Sequence, residues 1–119
     1  MAKRLFISDL DGTLYWDGRQ FTGQATPESL AAIRRWREAG NLFAVATARI
    51  HLYRESLTRE LGFPVDYLGS NGADLLFTDG ERETHPTSIH DFLTVCDWAR
   101  ERGIDGTAKI YTGGQWVNS

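Results

Sequence analysis

Two aspartates, Asp9 and Asp11, form the pattern in this sequence with the clearest chemical meaning. They follow the apolar run at positions 5–7 and precede Gly12 and Thr13. Two carboxylates two positions apart can bind a metal ion, supply a nucleophile, or divide the roles of general acid and general base. The tetrapeptide Asp-x-Asp-Gly also occurs where a strand simply ends in a turn and its aspartates are solvated. The pair alone therefore leaves a catalytic and a structural interpretation open.

A calcium loop of the EF-hand type is a further interpretation of these aspartates, and the spacing excludes it. Such a loop requires glycine at its sixth position and glutamate at its twelfth. Counted from Asp9, those positions hold Leu14 and Gln20.

The residues before the aspartates predict the element that positions them. A short apolar run bounded by turn residues is typical of a buried strand, here strand 1 over residues 5–8, and it favours a parallel sheet. Asp9 and Asp11 would then lie at the C-terminal end of strand 1. In open α/β sheets, ligands bind at that end of the strands. The aspartates are therefore candidates for a binding site at a sheet edge.

The next segments predict two further strands, each reached through a helix. Thr26 is a good N-cap, Pro27 suits the first helical position, and Gly40 predicts the end of the helix. Connections of this kind are right-handed parallel crossovers, so the predicted fold class is α/β. The predicted elements after strand 1 are helix 1 between residues 27 and 40, strand 2 over 42–46, helix 2 over 50–61 and strand 3 over 65–68.

Polar residues follow strands 2 and 3 where each strand ends. Thr47, Ala48 and Arg49 come after strand 2, and Asn71 comes after strand 3. Parallel crossovers bring these ends to the sheet edge that holds the aspartates. Thr47 is either a ligand-binding hydroxyl or a plain strand-end threonine, Arg49 a substrate contact or a solvated helix start, and Asn71 a site-edge residue or part of a turn with Gly72.

The pattern changes after residue 73 from parallel α/β to mixed α+β. Residues 75–84, with Asp79-Gly80 at their centre, predict an antiparallel hairpin. Ser88 and Asp91 are typical of a capping box at the start of a helix that ends at Gly103. Strands are expected over 108–112 and from 116. We therefore expect one domain over residues 1–84 and the beginning of a second over residues 85–119.

Composition narrows the class of protein. The chain has 119 residues, a net charge of -3 and scattered basic residues, which gives no sign of a nucleic-acid surface. The single Cys96 excludes an intrachain disulfide and suits a reducing compartment. No apolar stretch approaches the ~20 residues of a membrane span, and the first residues do not form a signal peptide. We expect a cytoplasmic protein without nucleic-acid or membrane partners.

The motif sequences resemble those of a known family. Asp9-Leu10-Asp11-Gly12-Thr13-Leu14, placed after an apolar strand, resembles the first motif of the haloacid dehalogenase (HAD) superfamily. Thr47-Ala48-Arg49 resembles its second motif. Ser70-Asn71-Gly72-Ala73, followed by a hairpin and a helix, is similar to the subgroup of Cof-like sugar phosphatases with a C2-type cap. The resemblance implies a Rossmann-like, three-layer α/β core with a parallel sheet, here incomplete, and the beginning of an α+β cap.

The resemblance also implies an activity and site residues. It implies a phosphomonoester hydrolase for a small phosphorylated metabolite such as a sugar phosphate. Asp9 would be the nucleophile that forms an aspartyl-phosphate, and Asp11 the general acid and base. Mg²⁺ would be bound by the Asp9 carboxylate and the Asp11 backbone carbonyl. The implied substrate- and phosphate-binding residues are Leu10, Gly12, Thr13, Thr47, Ala48, Arg49 and Asn71.

Two departures from the family pattern keep alternatives open. The later lysine and the later acidic motif, which would neutralise the phosphate and complete the Mg²⁺ site, do not occur in these 119 residues. We therefore expect an N-terminal portion of a longer phosphatase. A phosphomutase or phosphotransferase and a catalytically incomplete fragment are the alternatives. Because the missing strands would lie beside strand 1, its open edge predicts a homodimer or a segment swap.

Several other polar or aromatic residues have plainer interpretations. His51, His85 and His90 lack the spacing of metal ligands, so we expect them to be solvated. Lys109 alternates with apolar neighbours and is expected to face solvent. Trp16 precedes Asp17-Gly18, a hairpin-turn signal within a polar segment, and would shield the site or pack on the cap.

Overall fold

The structure, a computed structural model, describes residues 2–106, 109–112 and 115–118, and the side chains of residues 2–106. The chain divides after Pro86 into two compact units. The predicted assignment of residues 85–119 to a cap domain stays a prediction. Among the described residues, no helix is long and apolar enough to cross a membrane.

The first unit is one five-stranded sheet with two helices. Its strands follow the order β1-β2-β3-β4-β5 across the sheet. The first three pair in parallel, and the last two extend the same sheet as an antiparallel hairpin. The elements are β1 (Leu5–Ser8), α1 (Pro27–Glu38), β2 (Leu42–Ala46), α2 (Tyr53–Leu61), β3 (Asp66–Gly69), β4 (Asp74–Leu76) and β5 (Arg82–Thr84).

Local sequence signals explain where α1 begins and ends. The Thr26 hydroxyl accepts a hydrogen bond from Ser29 N at 3.2 Å, and Pro27 occupies the first turn. Gly40 follows the helix with a φ of 88°, which glycine adopts without steric cost. The predicted first helix and the predicted strands at residues 5–8 and 42–46 are confirmed.

Helix α2 is shorter than predicted. It begins at Tyr53, because residues 49–52 form a turn in which Tyr53 N donates to Ile50 O and Arg54 N to His51 O. The apolar spacing within the helix gave the correct end at Leu61. It carried no information about the turn, which is held by backbone groups.

The core of the first unit lies on the sheet beneath the helices. Its members are almost fully shielded from solvent, and they include residues from the strands, from both helices and from the turn after β1. The most deeply buried side chains are Leu10, Val45, Leu57, Leu61, Val65 and Tyr67. Arg34 links helix α1 to helix α2, because its Nε donates to Leu61 O at 3.1 Å.

The prediction that β1 is buried is wrong for its apolar side chains. Leu5, Phe6 and Ile7 are 55%, 52% and 47% exposed, whereas Ser8 is buried. The physical reason is topology: within the described residues β1 has a neighbour, β2, on one side only. The ring of Phe6 still contacts Trp36 and Phe43, so the faces of this strand are partly covered.

The polar segment after β1 forms the predicted hairpin turn. Trp16 and Phe21 make an antiparallel bridge, and their rings meet edge to face at 5.4 Å. Asp17 Oδ1 accepts hydrogen bonds from Arg19 N and Gln20 N, as aspartates in tight turns do.

The second unit contains a helix and a hairpin. Helix α3 (Ile89–Glu101) begins at Ser88, whose hydroxyl accepts from His90 N at 3.2 Å. Strands β6 (Lys109–Thr112) and β7 (Gln115–Asn118) pair antiparallel. The predicted strand start at position 108 and the predicted orientation of the Lys109 side chain lie outside the described residues.

Candidate active site

Three segments meet at the C-terminal ends of β1, β2 and β3. Thr47 N donates to Leu68 O at 2.9 Å, and Asn71 N donates to Thr47 O at 3.0 Å. Ser70 N donates to Arg49 O at 3.0 Å, so the segments after β2 and β3 are directly bonded. The structure thus brings together the strand ends that parallel crossovers were expected to align.

The turn after β1 is closed by its own backbone. Thr13 N donates to Leu10 O at 3.1 Å, and Leu14 N donates to Asp9 O at 3.3 Å. Gly12 has a φ of 79°, and a Cβ there would lie 3.0 Å from the ring of Phe21. The backbone conformation therefore favours glycine at this position, and a Cβ would also crowd the exposed ring of Phe21.

Asp11 forms a bidentate ion pair with Arg49. Arg49 Nε lies 2.7 Å from Asp11 Oδ2, and its second contact joins Nη2 to Oδ1 at 2.6 Å. The hydrogen bonds from Arg49 lower the pKa of Asp11, so the ionised carboxylate is favoured. The two parallel hydrogen bonds also fix the orientation of the Asp11 and Arg49 side chains relative to each other.

Aromatic rings complete the surroundings of Arg49. Its guanidinium lies 4.8 Å from the ring centre of Tyr53 and 5.3 Å from that of Tyr15. The Arg49 side chain is only 27% exposed. The interpretation as a solvated helix start is therefore wrong, because Asp11 and the two rings occupy this side chain.

The hydroxyls of Thr47 and Thr13 each bond to another residue of this sheet edge. Thr47 is buried, and its Oγ1 accepts from Arg49 N at 3.1 Å, which leaves its hydroxyl proton for another acceptor. Thr13 Oγ1 donates to Asp9 Oδ2 at 3.5 Å. Asp9 itself is solvent-exposed.

Leu10 and Ala48 would each contact a phosphate group through the backbone. The Leu10 side chain is fully buried in the core, so the predicted phosphate contact of Leu10 stays a prediction for its backbone. Ala48 is exposed between Thr47 and Arg49. Its methyl group offers no hydrogen bond, and its contribution would also come from the backbone.

The segment after β3 adopts a rare backbone conformation. Ser70 and Asn71 have φ values of 50° and 56°, and Gly72 follows at 92°. Non-glycine residues seldom occupy this left-handed region, and such residues cluster at functional sites, where the surroundings hold them. The predicted turn at Asn71-Gly72 and a position at the site edge are therefore compatible with each other.

Tyr67 and Gly69 support this edge from below, and sequence patterns did not identify either. The buried Tyr67 hydroxyl donates to Ile50 O at 3.1 Å and lies 3.4 Å from Arg49 O. A Cβ on Gly69 would lie 2.8 Å from Tyr67 Cε1 and 3.0 Å from Arg49 O. The sequence does offer one signal for this contact: an aromatic residue of the predicted strand stands two positions before a glycine, on the same face.

His51 corrects the expectation that the histidines are solvated. Its Nδ1 lies 3.0 Å from Asp74 Oδ2, and its side chain is 20% exposed. Asp74 is buried and also accepts two hydrogen bonds from Arg82, at 2.9 and 3.0 Å. His85 and His90 are largely exposed, as expected, and each lies beside an acidic neighbour.

The partly buried Glu60 interacts with the buried Tyr15. Burial raises the pKa of Glu60, against the effect of hydrogen bonds from the Ala25 backbone and Tyr15. Burial also raises the pKa of Tyr15 to about 12. Tyr15 therefore stays protonated throughout the physiological range and faces the site as a neutral ring.

The donor set for a metal ion is small. Among the described residues, no group of three or more histidine, cysteine, aspartate or glutamate side chains could enclose an ion. The exposed Asp9 carboxylate and the Asp11 backbone carbonyl remain as the oxygen donors at this edge. Mg²⁺ typically takes one or two carboxylates and keeps water and phosphate oxygens as its other ligands, so these donors fit a partial Mg²⁺ site.

Comparison with known proteins places these features in a family. Residues 6–119 match the family model of haloacid dehalogenase-like hydrolases. No curated protein sequence matches the chain. Among solved structures, 23 chains match.

Three of the similar structures illustrate the likeness. A haloacid dehalogenase-like hydrolase from B. subtilis has a TM-score of 0.71 at 24% identity, over 95% of this chain and 38% of that one. BT1666 from Bacteroides thetaiotaomicron, described among phosphatases of the HAD superfamily, has a TM-score of 0.70 at 21% identity, and the match covers 98% of this chain and 41% of BT1666. A HAD/COF-like hydrolase from Plasmodium vivax has a TM-score of 0.72 at 18% identity, and the match covers 96% of this chain and 42% of that hydrolase.

These likenesses confirm the predicted fold of a HAD core. The chain spans about two fifths of the length of those three structures. The family match extends over nearly the whole sequence, from the second residue of β1 onward. The chain therefore belongs to the haloacid dehalogenase-like hydrolase family.

Proposed function

We propose that this chain carries the nucleophile of a Mg²⁺-dependent phosphomonoester hydrolase that acts through an aspartyl-phosphate at Asp9. The observation that carries the proposal is the meeting of Asp9, the Asp11–Arg49 pair and Thr47 at one sheet edge. The substrate class is a small phosphorylated metabolite such as a sugar phosphate. Family membership and the likeness to a phosphatase fold support the same class of reaction.

Asp9 is suited to the nucleophilic step. Its exposed carboxylate oxygen would attack phosphorus, the bond from phosphorus to the ester oxygen would break, and the leaving alcohol would take up a proton. Water would then attack phosphorus of the aspartyl-phosphate, which releases inorganic phosphate and restores the Asp9 carboxylate. This division replaces one difficult displacement with two easier ones.

In the state that the structure shows, Asp11 is suited to the second step, the hydrolysis of the aspartyl-phosphate. With Arg49 bound, its lowered pKa keeps it ionised, and a carboxylate can accept the proton of the attacking water. To protonate the leaving alcohol, Asp11 must gain a proton and lose the contact with Arg49. A phosphate dianion at this edge would offer the guanidinium an alternative bidentate partner.

The residues after β2 and β3 would bind and orient the phosphate. The free hydroxyl proton of Thr47 can be donated to a phosphate oxygen, and Asn71 extends the edge toward the substrate. Backbone N–H groups at Leu10, Gly12 and Ala48 could add donors. Thr13 would act on the phosphate through Asp9, because its hydroxyl donates to Asp9 Oδ2 and its N–H donates to Leu10 O within the turn.

Mg²⁺ would be held by the Asp9 carboxylate and the Asp11 backbone carbonyl. When bound, it would neutralise charge on the transferring phosphoryl group. The residues of the chain would fix the geometry around it: Thr13 holds one oxygen of Asp9, and the bidentate contact with Arg49 turns the Asp11 side chain toward the second strand.

Turnover of p-nitrophenyl phosphate in the presence of Mg²⁺ tests the proposal. We expect the wild-type chain to release phosphate and the Asp9→Asn variant to lose turnover by at least about 10³-fold, because the nucleophile is removed. Asp17→Asn is the matched control, since it makes the same change in the nearby hairpin and should retain turnover. No turnover in any of the three proteins would favour a catalytically incomplete fragment.

A further inference from the structure

A buried carboxylate lies at the start of β4, next to the segment with the rare backbone conformation. Asp74 is the first residue of this strand, two positions after Gly72, and its side chain is 11% exposed. It accepts two hydrogen bonds from Arg82 of β5, at 2.9 and 3.0 Å. This bidentate geometry is typical of an ionised carboxylate. The proposed phosphoryl transfer uses neither of these two side chains.

The same carboxylate also contacts the turn that carries Arg49. Asp74 Oδ2 lies 3.0 Å from Nδ1 of His51, whose side chain is 20% exposed. An ionised carboxylate only accepts hydrogen bonds, so Nδ1 must carry a proton for this contact to be attractive. Because His51 stands two positions after Arg49, the contact joins the segment after β2 to the strand that follows the left-handed segment.

Two side chains of the sheet therefore hold this turn at successive residues. The Tyr67 hydroxyl of β3 donates to Ile50 O at 3.1 Å, and Asp74 of β4 contacts the side chain of His51. Arg49, the next residue toward β2, must reach Asp11 with two short hydrogen bonds, at 2.7 and 2.6 Å. Such a geometry depends on where the main chain of the turn lies.

The energetics of a buried ion pair favour a positioning role for Asp74. Desolvation offsets much of the attraction between buried charges, and apolar residues of similar volume are often at least as stable. A buried charge nevertheless imposes a geometry, because a carboxylate that loses one of its partners is strongly destabilising. The Asp74 carboxylate thus contributes a fixed arrangement of β4, β5 and the turn more than it contributes stability.

We propose that Asp74, acting through the Nδ1–H group of His51, positions the turn at residues 49–52 and thereby holds Arg49 in place for the phosphate. Asp74 and His51 act through Arg49, so they are positioning residues. The placement of Arg49 against Asp11 stands on the contacts of the chain alone. The consequence for phosphate binding rests on the proposed function.

Two substitutions at His51 separate the donor at Nδ1 from the rest of the ring. The amide nitrogen of asparagine can take the place of Nδ1, whereas that of glutamine lies near the place of Nε2. His51→Asn should therefore keep the contact with Asp74, and His51→Gln should lose it. Thr26→Ala is the matched control for stability, because it removes the N-cap of α1 and does not touch the turn.

The Nε–H proton of Arg49 reports its placement without any assay of activity. It donates to Asp11 Oδ2 at 2.7 Å, so its NMR signal should exchange slowly with water, and Arg49→Lys assigns the signal by its loss. Because exchange requires local opening, we expect it to be at least about 10-fold faster in His51→Gln. In His51→Asn and Thr26→Ala it should stay within about threefold of the wild-type rate.

Asp74→Asn tests the same contact from the other side, since an amide nitrogen replaces one acceptor oxygen. It should also speed the exchange of the Arg49 signal. A wild-type rate in His51→Gln or in Asp74→Asn would overturn the proposal. An equal increase in His51→Asn or in Thr26→Ala, or a wild type without a protected Arg49 signal, would overturn it as well.

Turnover of p-nitrophenyl phosphate tests the part that rests on the proposed function. In His51→Gln, KM should rise by about 10-fold while kcat changes by less than about threefold, because a displaced Arg49 weakens phosphate binding. His51→Asn should restore the wild-type KM. A fall in kcat at unchanged KM would contradict the inferred role in phosphate binding. A wild type without turnover would contradict the proposed function, and the exchange of the Arg49 signal would still decide whether Asp74 and His51 position this side chain.

Discussion

The contact between Asp11 and Arg49 is the residue-scale feature that most constrains the chemistry. A general acid must hold a proton, whereas Arg49 lowers the pKa of Asp11 and favours the ionised form. The pair therefore represents a state ready to accept a proton. In the proposed mechanism, the transition between the two roles of Asp11 would depend on where the guanidinium of Arg49 goes when a phosphate dianion binds.

The same pair predicts a pH dependence of stability. Because the folded-state pKa of Asp11 is below the unfolded value of about 3.9, its stabilising contribution is present above that value and is lost as the pH falls through the folded-state pKa. Asp11→Asn should thus be less stable than wild type at pH 7, by under about 1 kcal/mol since the side chain is 43% exposed. Urea unfolding at neutral and strongly acidic pH measures the difference.

Asp17→Asn serves as the control for this pH series. It removes an aspartate from the same unit without touching Arg49, and its unfolding should follow that of wild type. A gap between wild type and Asp11→Asn that stays constant from pH 7 into the acid range would contradict the assignment.

Tyr67 supplies a second residue-scale prediction. Tyr67→Phe removes the buried hydroxyl that donates to Ile50 O and leaves that carbonyl without this partner, which should cost about 1 kcal/mol of unfolding free energy. Because the same loop carries Arg49, KM for a phosphate ester should also rise. The matched control is Tyr53→Phe, whose ring lies beside Arg49 and whose side chain is 45% exposed. Equal effects of the two substitutions would be inconsistent with the support role of Tyr67.

At the scale of elements, the sequence predicted what local signals determine. Thr26, Pro27 and Gly40 fixed α1, and the apolar runs located β1 and β2. The strand order also predicted part of the site, because parallel crossovers bring Thr47 and Asn71 to one edge of the sheet, where Asn71 N donates to Thr47 O. These features could be predicted because each depends on a few neighbouring residues or on a general rule of handedness.

The features that could not be predicted depend on contacts between distant residues. Helix α2 starts later than its apolar spacing suggests, because backbone bonds around Ile50 form a turn first. His51 was expected in solvent, and Asp74, 23 positions later in the sequence, holds it. The choice of Arg49 between solvent, substrate and Asp11 likewise depends on the packing of two strand ends, which no local pattern encodes.

Gly69 gives a prediction at the element scale. Gly69→Ala would force a Cβ within 2.8 Å of the Tyr67 ring and 3.0 Å of Arg49 O. Because both atoms belong to the buried support of the site, the neighbours must shift, and overpacking of this kind typically costs about 1–3 kcal/mol. Thermal unfolding measures the loss. Gly106→Ala, where a Cβ has no neighbour within 4 Å, should be nearly neutral; an equally harmless Gly69→Ala would refute the close packing.

At the scale of the whole molecule, family membership and the exposed edge have to be considered together. The chain has the HAD fold but spans about two fifths of the length of the similar structures. The open side of β1 is the place where further structure can be added to the sheet.

Asp9 should become phosphorylated during turnover, and direct trapping of the aspartyl-phosphate tests this expectation. Acid quenching during turnover of a ³²P-labelled phosphate ester should leave label on the protein that hydroxylamine releases, as expected for an acyl phosphate, and the labelled peptide should contain Asp9. The label should be absent from Asp9→Asn and retained in Asp17→Asn. Turnover without any hydroxylamine-sensitive label at Asp9, or label that persists in Asp9→Asn, would contradict the account.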